Sequence, residues 1–178
     1  MIYVFLAQGF EECEALAPID ILRRAGLNVK TVGVGSKTII GAHDISVQCD
    51  ILDTDAVTDN LEAIILPGGM PGTLNLEKSE IVQSFINFAA NNNLILGAIC
   101  AAPSILGHKN LLCGKTATCF IGFEKDLVGA NVVNERAVKD GNIVTAYGAG
   151  AAFDFGFLLL EAIRGANEAE TMKKQMRY

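Results

Sequence analysis

The chain has 178 residues, of which 51% are hydrophobic and 19% are charged, and its formal net charge is −6. This length predicts a single domain, residues 1–178, with a sizeable buried core. The negative charge disfavours nucleic acid as a partner, and no apolar run is long enough to cross a membrane. The start has no basic leader, and the five cysteines form no CxxC pair, so we expect a cytoplasmic protein without disulfides or bound metal.

The N-terminal segment predicts a strand–helix–strand unit. A strand is expected at Ile2–Ala7, and apolar residues at positions 16, 19, 22 and 25 then predict a helix that Gly26 ends. Pro18 lies inside this pattern, so we expect the helix to begin late or bend there. A second strand at Asn28–Val34 makes the two strands parallel.

The central segment predicts a hairpin, a buried strand and an amphipathic helix. The hairpin is expected within Ile39–Cys49, and the helix at Ile81–Ala90. Between them, Ala63–Leu66 predicts a buried strand that leads into Pro67-Gly68-Gly69. The carboxyl edge of an open α/β sheet is where ligands bind, so this loop is a candidate site, although a Pro-Gly-Gly sequence is also typical of a plain turn.

The segment Leu94–Leu106 predicts a buried strand, a tight turn and a helix with Pro103 in its first turn. Cys100 lies on that turn, where a helix N-terminus lowers a cysteine pKa and favours the thiolate. The alternative is a buried cysteine that behaves as a small hydrophobic residue. If the two loops are neighbours, the amides of Gly69 and Ala101 can stabilise an oxyanion beside the sulfur.

The C-terminal segment predicts further strands and two helices. Strands are expected at Lys115–Phe120, Asn131–Val133, Ala137–Val138 and Ile143–Ala146, with a turn at Lys139–Asn142; helices are expected at Ala151–Ile163 and in the charged tail Ala166–Tyr178. Taken together, the elements predict a doubly wound α/β domain, with a mostly parallel sheet and helices on both faces.

Four motifs together resemble the ThiJ/PfpI superfamily, in particular its deglycase branch. They are Gly9-Phe10-Glu11-Glu12-Cys13-Glu14, Leu66-Pro67-Gly68-Gly69, Ala98-Ile99-Cys100-Ala101-Ala102-Pro103 and Gly148-Ala149-Gly150. The similarity runs from Met1 to about Gly165. It implies a flavodoxin-like, glutamine amidotransferase-like α/β/α sandwich, a homodimer, and a reactive cysteine on a nucleophile elbow.

By position, the resemblance implies that Cys100 is the nucleophile and Glu14 its acid partner. A protonated glutamate donates to a thiolate or sulfinate, whereas an ionised one repels it, so we expect a raised pKa for Glu14. The alternative is a solvated acid in the first turn of a helix. Glu11 and Glu12 are expected to be exposed first-turn acids, with Glu11 within reach of the pocket rim.

Two positions depart from the family pattern. Protease and amidase branches carry a histidine where this chain has Ala101, and the deglycase branch carries one where this chain has Cys119, so the usual base is absent. Cys119 is either a buried strand cysteine or a thiol that resolves an oxidised Cys100 as a disulfide. His43 falls near a pocket-side arginine of the family, and it either approaches the site, from a partner subunit if need be, or lies on the surface. His108 is expected at the end of the helix after Cys100.

The leading hypothesis is therefore a cofactor-free cysteine enzyme that acts on small reactive carbonyls, such as α-oxoaldehydes, or on glycated adducts. The alternative uses the same two residues, Cys100 and Glu14, in a non-enzymatic sensor of oxidative stress or a holdase chaperone. An intracellular protease or amidase is a distant third, because the sequence shows no Cys-His pair.

Overall fold

The computed structural model describes residues 1–178 and contains eleven strands and six α-helices. The strands are β1 (Ile2–Leu6), β2 (Val29–Gly33), β3 (Thr38–Ile40), β4 (Ser46–Gln48), β5 (Ile51–Leu52), β6 (Ala63–Leu66), β7 (Ile95–Ile99), β8 (Thr116–Ala117), β9 (Asn131–Val132), β10 (Ala137–Asp140) and β11 (Ile143–Ala146). The α-helices are α1 (Glu12–Arg24), α2 (Gly72–Lys78), α3 (Glu80–Asn91), α4 (Pro103–His108), α5 (Ala152–Arg164) and α6 (Ala166–Met176).

Seven strands form the central sheet in the order β10-β11-β7-β6-β1-β2-β5. All neighbours are parallel except β10 and β11. The chain leaves β1 towards β2 on one side and later returns to β6 on the other, so the winding reverses between β1 and β6. Open α/β sheets bind ligands outside the carboxyl ends of the strands at such a reversal. The doubly wound, mostly parallel sheet is thus confirmed.

Helices cover both faces of the sheet, and each face has its own buried layer. In β1, Ile2, Val4 and Leu6 belong to the layer shared with α1, α5 and α6, while Tyr3 and Phe5 belong to the layer shared with α3 and α4. A strand buried on both faces needs apolar residues at every position, which explains the uninterrupted apolar runs in the sequence. Each fully buried large side chain contributes about 1.5–3 kcal/mol relative to its exposed state.

Two details of the first half differ from expectation. Helix α1 begins at Glu12 and runs through Pro18, so of the two expected outcomes the late start is wrong. An added Cβ on Gly156 would lie 3.1 Å from the Pro18 Cα, so a glycine in α5 lets the two helices pack closely at this point. Helix α2 was not predicted, since its start at Gly72 directly follows a proline–glycine loop typical of turns. The hairpin is confirmed, as β3 pairs antiparallel with β4.

The prediction of a strand over Lys115–Phe120 is wrong for all but two of its residues. Only Thr116 and Ala117 are extended, and they pair with β9. The next residues leave the sheet because their amides bind elsewhere: the Thr118 N–H donates to the Thr145 hydroxyl and the Phe120 N–H to the Cys100 carbonyl. In the following hairpin, β10 extends through Asp140, so the turn is shorter than predicted. No helix has the length and apolar character needed to span a membrane.

Candidate functional site

Cys100 occupies a strained turn directly after β7. Its φ of +65° lies in the left-handed region, which costs a non-glycine residue about 1–3 kcal/mol. Two hydrogen bonds hold this conformation: the Cys100 N–H donates to the Ala146 carbonyl, and the Cys100 carbonyl accepts from the Phe120 N–H, both at 2.8 Å. The side chain is half-buried and projects from the turn before α4, which is the geometry of a nucleophile elbow.

Glu14 lies in the first turn of α1 and is 1% exposed. Its Oε2 accepts a hydrogen bond from the Gly68 N–H at 2.9 Å, and its carboxyl group is hydrogen-bonded to the Cys100 thiol. A Cβ added at Gly68 would lie 2.6 Å from both Cys100 Cβ and Glu14 Oε2. A glycine is therefore required at position 68 for the sulfur and the carboxyl group to meet.

Burial raises the pKa of both members of this pair. Burial raises the pKa of Glu14 to about 7, although the hydrogen bonds from Cys100 and Gly68 oppose the shift. Burial, followed by the charge of Glu14, raises the pKa of Cys100 to about 12. The raised pKa of Glu14 is confirmed, whereas the lowered pKa expected for Cys100 is wrong, because the amides near the sulfur do not outweigh burial and a neighbouring carboxylate. Above pH 7 Glu14 is mostly ionised while the thiol keeps its proton, so the pair carries one negative charge.

The backbone amides of Gly69 and Ala101 both donate to the Cys100 sulfur. Each amide belongs to a peptide group whose carbonyl is fixed from the opposite side: the Gly68 carbonyl by the Glu11 N–H at 3.0 Å, and the Cys100 carbonyl by the Phe120 N–H at 2.8 Å. Because a peptide group is planar, fixing its carbonyl also fixes the direction of its N–H. Two fixed N–H donors therefore face the Cys100 sulfur.

Thr145 supports this arrangement from beneath the loop that carries Phe120. Its hydroxyl accepts a hydrogen bond from the Thr118 N–H at 3.0 Å, and both threonines are 1% exposed. Thr145→Val keeps the shape but leaves that amide unpaired, which costs about 1–3 kcal/mol. We expect slower alkylation of Cys100 at fixed pH and a shifted pH profile, measured with iodoacetamide. Thr145→Ser should restore both, and equal profiles for the two variants would contradict this role.

Glu12 was expected to be exposed, and this is wrong: it is 5% exposed. Its Oε1 accepts from the His43 N–H at 2.8 Å and the Ile45 N–H at 3.4 Å, and its Oε2 lies 2.9 Å from the His43 ring. A Cβ on Gly41 would lie 2.2 Å from Oε1, so the hairpin loop closes directly over the carboxylate. Burial alone raises the pKa of Glu12, but the hydrogen bonds from His43 and Ile45 outweigh it and lower the pKa.

The charge on Glu12 should stabilise the fold at neutral pH. Since its folded pKa lies below the unfolded value of 4.5, the contribution is present above that pH and is lost as the pH falls through the folded pKa. Glu12→Gln is expected to lower the free energy of unfolding at pH 7 by about 1–3 kcal/mol, and by less at pH 3. Urea unfolding at the two pH values measures this, and an equal loss at both would contradict it.

His43 is paired with acidic residues and not with Cys100. Its side chain is 68% exposed, and its Nδ1 lies 2.9 Å from Glu12 and 3.5 Å from Glu11. The hydrogen bond to Glu12 and the charge of Glu11 raise the pKa of His43. One ligand atom from each of these three residues lies within 4.8 Å of the others, which is close enough to hold a metal ion. Both carboxylate oxygens of Glu12, however, already bind the loop of the β3–β4 hairpin, so these contacts hold the hairpin against α1.

Cys119 is buried near the elbow but belongs to the opposite layer. It is 7% exposed and packs with the residues around α3 and α4, whereas Cys100 packs on the α1 side. Both are free thiols. Burial, then the charges of Glu124 and Asp126, raises the pKa of Cys119 to about 11. His108, at the end of α4 as predicted, pairs with Glu77 at 2.5 Å.

The reversal of a doubly wound sheet, the strained cysteine turn and the buried acid define an α/β protein with a nucleophile elbow. The chain belongs to the DJ-1/PfpI family, whose model matches residues 1–162. The resemblance inferred from the four motifs is thereby confirmed.

Several relatives are similar over nearly the whole chain. Drosophila melanogaster protein dj-1beta is 30% identical over 174 residues, covering 96% of this chain and 93% of its own. The Parkinson disease protein 7 homolog of Danio rerio is also 30% identical, with the same coverage. Among solved structures, oxidized Toxoplasma gondii DJ-1 superposes with a TM-score of 0.94 at 27% identity, covering 99% of this chain and 97% of that chain.

Proposed function

We propose that this protein is a cofactor-free cysteine enzyme that acts on reactive carbonyls, namely α-oxoaldehydes or the adducts they form. The observation that carries the proposal is the hydrogen-bonded Cys100–Glu14 pair, with the amides of Gly69 and Ala101 aimed at its sulfur. Together, the pair and the two amides bring a nucleophile, a proton acceptor and two donors to an oxyanion next to one another.

The chemistry starts when the Cys100 sulfur adds to the aldehyde carbon of R–CO–CHO. As the C–S bond forms, the carbonyl electron pair moves to oxygen, which the Gly69 and Ala101 amides stabilise. The thiol proton moves to Glu14 and then to that oxygen, which completes the hemithioacetal. A pKa of about 7 allows Glu14 to accept and return a proton near neutral pH.

Glu14 next moves a proton from the former aldehyde carbon to the neighbouring ketone carbon, and the hydroxyl proton on the first carbon passes to the ketone oxygen. The first carbon is thereby oxidised and the second reduced, so no external oxidant or cofactor is needed. The product of this step is a thioester of a 2-hydroxy acid on Cys100. Water then cleaves the C–S bond, which releases R–CH(OH)–COOH and restores the thiol, so one water is consumed in each turnover.

The test is to incubate the purified protein with methylglyoxal and measure lactate. We expect lactate from the wild type, none above background from Cys100→Ser, and a nearly unchanged yield from Cys113→Ser, an exposed free thiol outside the site, which is the matched thiol control. Lactate formation that does not depend on Cys100 and Glu14 would refute the proposal.

The second candidate is a sensor of oxidation or a holdase, and the raised pKa of Glu14 favours it as well, because a protonated Glu14 can donate to a sulfinate on Cys100. Intact-mass analysis after mild peroxide treatment tests this candidate. Selective addition of two oxygens at Cys100 supports it, whereas a Cys100–Cys119 disulfide supports a resolving thiol. Protease or amidase chemistry is disfavoured because both histidines pair with carboxylates elsewhere.

We further propose that the protein forms a homodimer. Helix α1 and the β3–β4 hairpin, which the Glu12 contacts hold together, expose the large apolar residues Leu16, Ile40 and Ile45. Exposed apolar residues on adjoining elements are typical of an interaction surface. Light scattering after size-exclusion chromatography measures the mass, and a mass of 18.9 kDa at micromolar concentration would contradict a dimer.

A further inference from the structure

A cavity of about 540 Å³ lies next to the two backbone segments that hydrogen-bond to the Cys100 backbone, those of Ala146–Tyr147 and Phe120. In the sheet order, β7 has β11 on one side and β6 and β1 on the other. Glu14 and Gly69 approach the cysteine from the β6–β1 side. The cavity is bordered by Tyr147, which follows β11, and by Phe120, whose N–H donates to the Cys100 carbonyl. The cavity thus adjoins the Cys100 turn on its β11 side, although Cys100 itself is not among the lining residues.

The lining of this cavity is mainly apolar. It is formed by Cys119, Phe120, Ile121, Val132, Val133 and Tyr147, together with three polar residues. Phe120 and Ile121 remain 46% and 80% exposed, although large apolar side chains are usually buried. A concave apolar volume with a few polar groups is typical of a small-molecule site.

The one ionisable acid in the lining is Glu124. Its Oε2 accepts a hydrogen bond from the Gly122 N–H at 2.8 Å, which holds the carboxylate at the loop. No lysine, arginine or histidine lines the cavity. Arg136 lies over the Tyr147 ring, but it is paired with Asp154, so an anionic group in the cavity would meet the charge of Glu124 with little compensation. The cavity therefore suits a neutral apolar group and disfavours an anionic one.

We propose that this cavity binds the carbon substituent of the carbonyl compound that Cys100 attacks, and that it selects neutral aryl or branched alkyl groups over anionic ones. The proposal rests on the proposed function for the identity of the reacting group. It adds that the substituent R of R–CO–CHO lies between Phe120 and Tyr147, while its carbonyl oxygen faces the Gly69 and Ala101 amides.

The selection can be tested without turnover, by the alkylation of Cys100 with three chloroacetamides. In each reaction the sulfur forms a bond to the CH₂ carbon, chloride leaves with the electron pair, and the thiol proton passes to solvent. The reagents are chloroacetamide, its N-benzyl derivative and its N-(4-carboxybenzyl) derivative. Each rate at Cys100 is measured by peptide mass spectrometry and divided by the rate of the same reagent with glutathione, which removes differences in intrinsic reactivity.

For the wild type we expect the normalised rate with the benzyl reagent to exceed that with the parent compound by about tenfold, because the ring leaves water for the cavity. The carboxybenzyl reagent should lose most of this gain. Glu124→Gln should restore the gain for the carboxybenzyl reagent, so that the two benzyl reagents react at similar normalised rates. Val132→Trp should fill the cavity and abolish the benzyl preference. Val128→Trp adds the same ring outside the lining and is the matched control.

Equal normalised rates for the three reagents in the wild type would overturn the proposal, and so would an unchanged preference in a folded Val132→Trp protein. Because Glu124 is a surface loop residue, its variant tests the charge selection even if the tryptophan variant does not fold. The outcomes also separate the two proposals. A benzyl preference without lactate formation would support the proposed cavity site and refute the proposed enzyme activity. Lactate formation without a benzyl preference would refute the cavity site alone.

Discussion

Glu14→Gln is expected to make Cys100 more reactive towards an alkylating reagent and, at the same time, to abolish turnover. The carboxylate raises the pKa of the thiol by its charge and by its hydrogen bond, so a neutral amide should lower that pKa and increase the thiolate fraction at pH 7. A glutamine, however, cannot accept and return a proton. Removing such an acid–base group lowers the rate by roughly 10²–10⁴-fold.

The two readouts are the rate of Cys100 alkylation with iodoacetamide and lactate formation from methylglyoxal. Opposite changes are expected, and this separates the role of Glu14 from general damage to the site, which would lower both. Glu14→Asp keeps the charge but shortens the side chain, so it tests whether the carboxyl group must lie close to the Cys100 thiol. A parallel fall of both rates in a folded glutamine variant would contradict the assignment of Glu14 as a proton carrier.

The same variant should also change the pH dependence of stability. The folded pKa of Glu14 is raised to about 7, above the unfolded value of 4.5, so its contribution to stability is fully present below pH 4.5 and is lost as the pH rises to 7. Glutamine removes this loss. We therefore expect Glu14→Gln to raise the free energy of unfolding at pH 8 more than at pH 4.5, measured by urea denaturation. Equal changes at both pH values would show that the pKa of Glu14 is not raised in the folded protein.

Gly68→Ala is expected to lower turnover by at least about 100-fold, as for other displacements of groups in a catalytic site. The added methyl carbon would lie 2.6 Å from Cys100 Cβ, 2.6 Å from Glu14 Oε2 and 2.9 Å from the Ile99 carbonyl oxygen. These separations are too short for any contact, so the sulfur and the carboxyl group must move apart. Overpacking of this kind costs about 1–3 kcal/mol of stability.

Gly150→Ala is the matched control, because a Cβ there meets nothing within 4 Å and the residue does not have a left-handed φ. It should leave turnover unchanged and the free energy of unfolding unchanged or slightly raised, since alanine restricts the unfolded chain. Lactate formation and urea unfolding are measured for both variants. Full turnover in Gly68→Ala would show that contact between Cys100 and Glu14 is not required.

Much of the fold follows from local sequence patterns. The apolar runs of β1, β6 and β7 predict strands buried on both faces, because every position along them is apolar. The helices α1, α3 and α5 follow from apolar spacing together with terminal glycines and charges. These signals depend only on residues close in the chain, which is why sequence alone is sufficient for them.

Elements that depend on distant partners were predicted less well. The strand at Lys115–Phe120 breaks after two residues because the amides of Thr118 and Phe120 bind Thr145 and Cys100, which lie far along the chain. Glu12 resembles a surface acid in sequence, yet the β3–β4 hairpin closes over it and supplies three hydrogen bonds. Neither outcome leaves a local signal, apart from the glycine at position 41 that makes room for the carboxylate.

The sequence by itself determined the doubly wound sheet, through its strand–helix alternation, and the family, through four motifs; the pairing of Cys100 with Glu14 was implied only by the resemblance to that family. Only the tertiary structure decided the protonation chemistry of the pair. The helix start near Cys100 predicts a lowered pKa, but burial and the carboxylate raise it to about 12. Burial and the distance between charges are properties of the packed chain, so no spacing of residues along the sequence determines them.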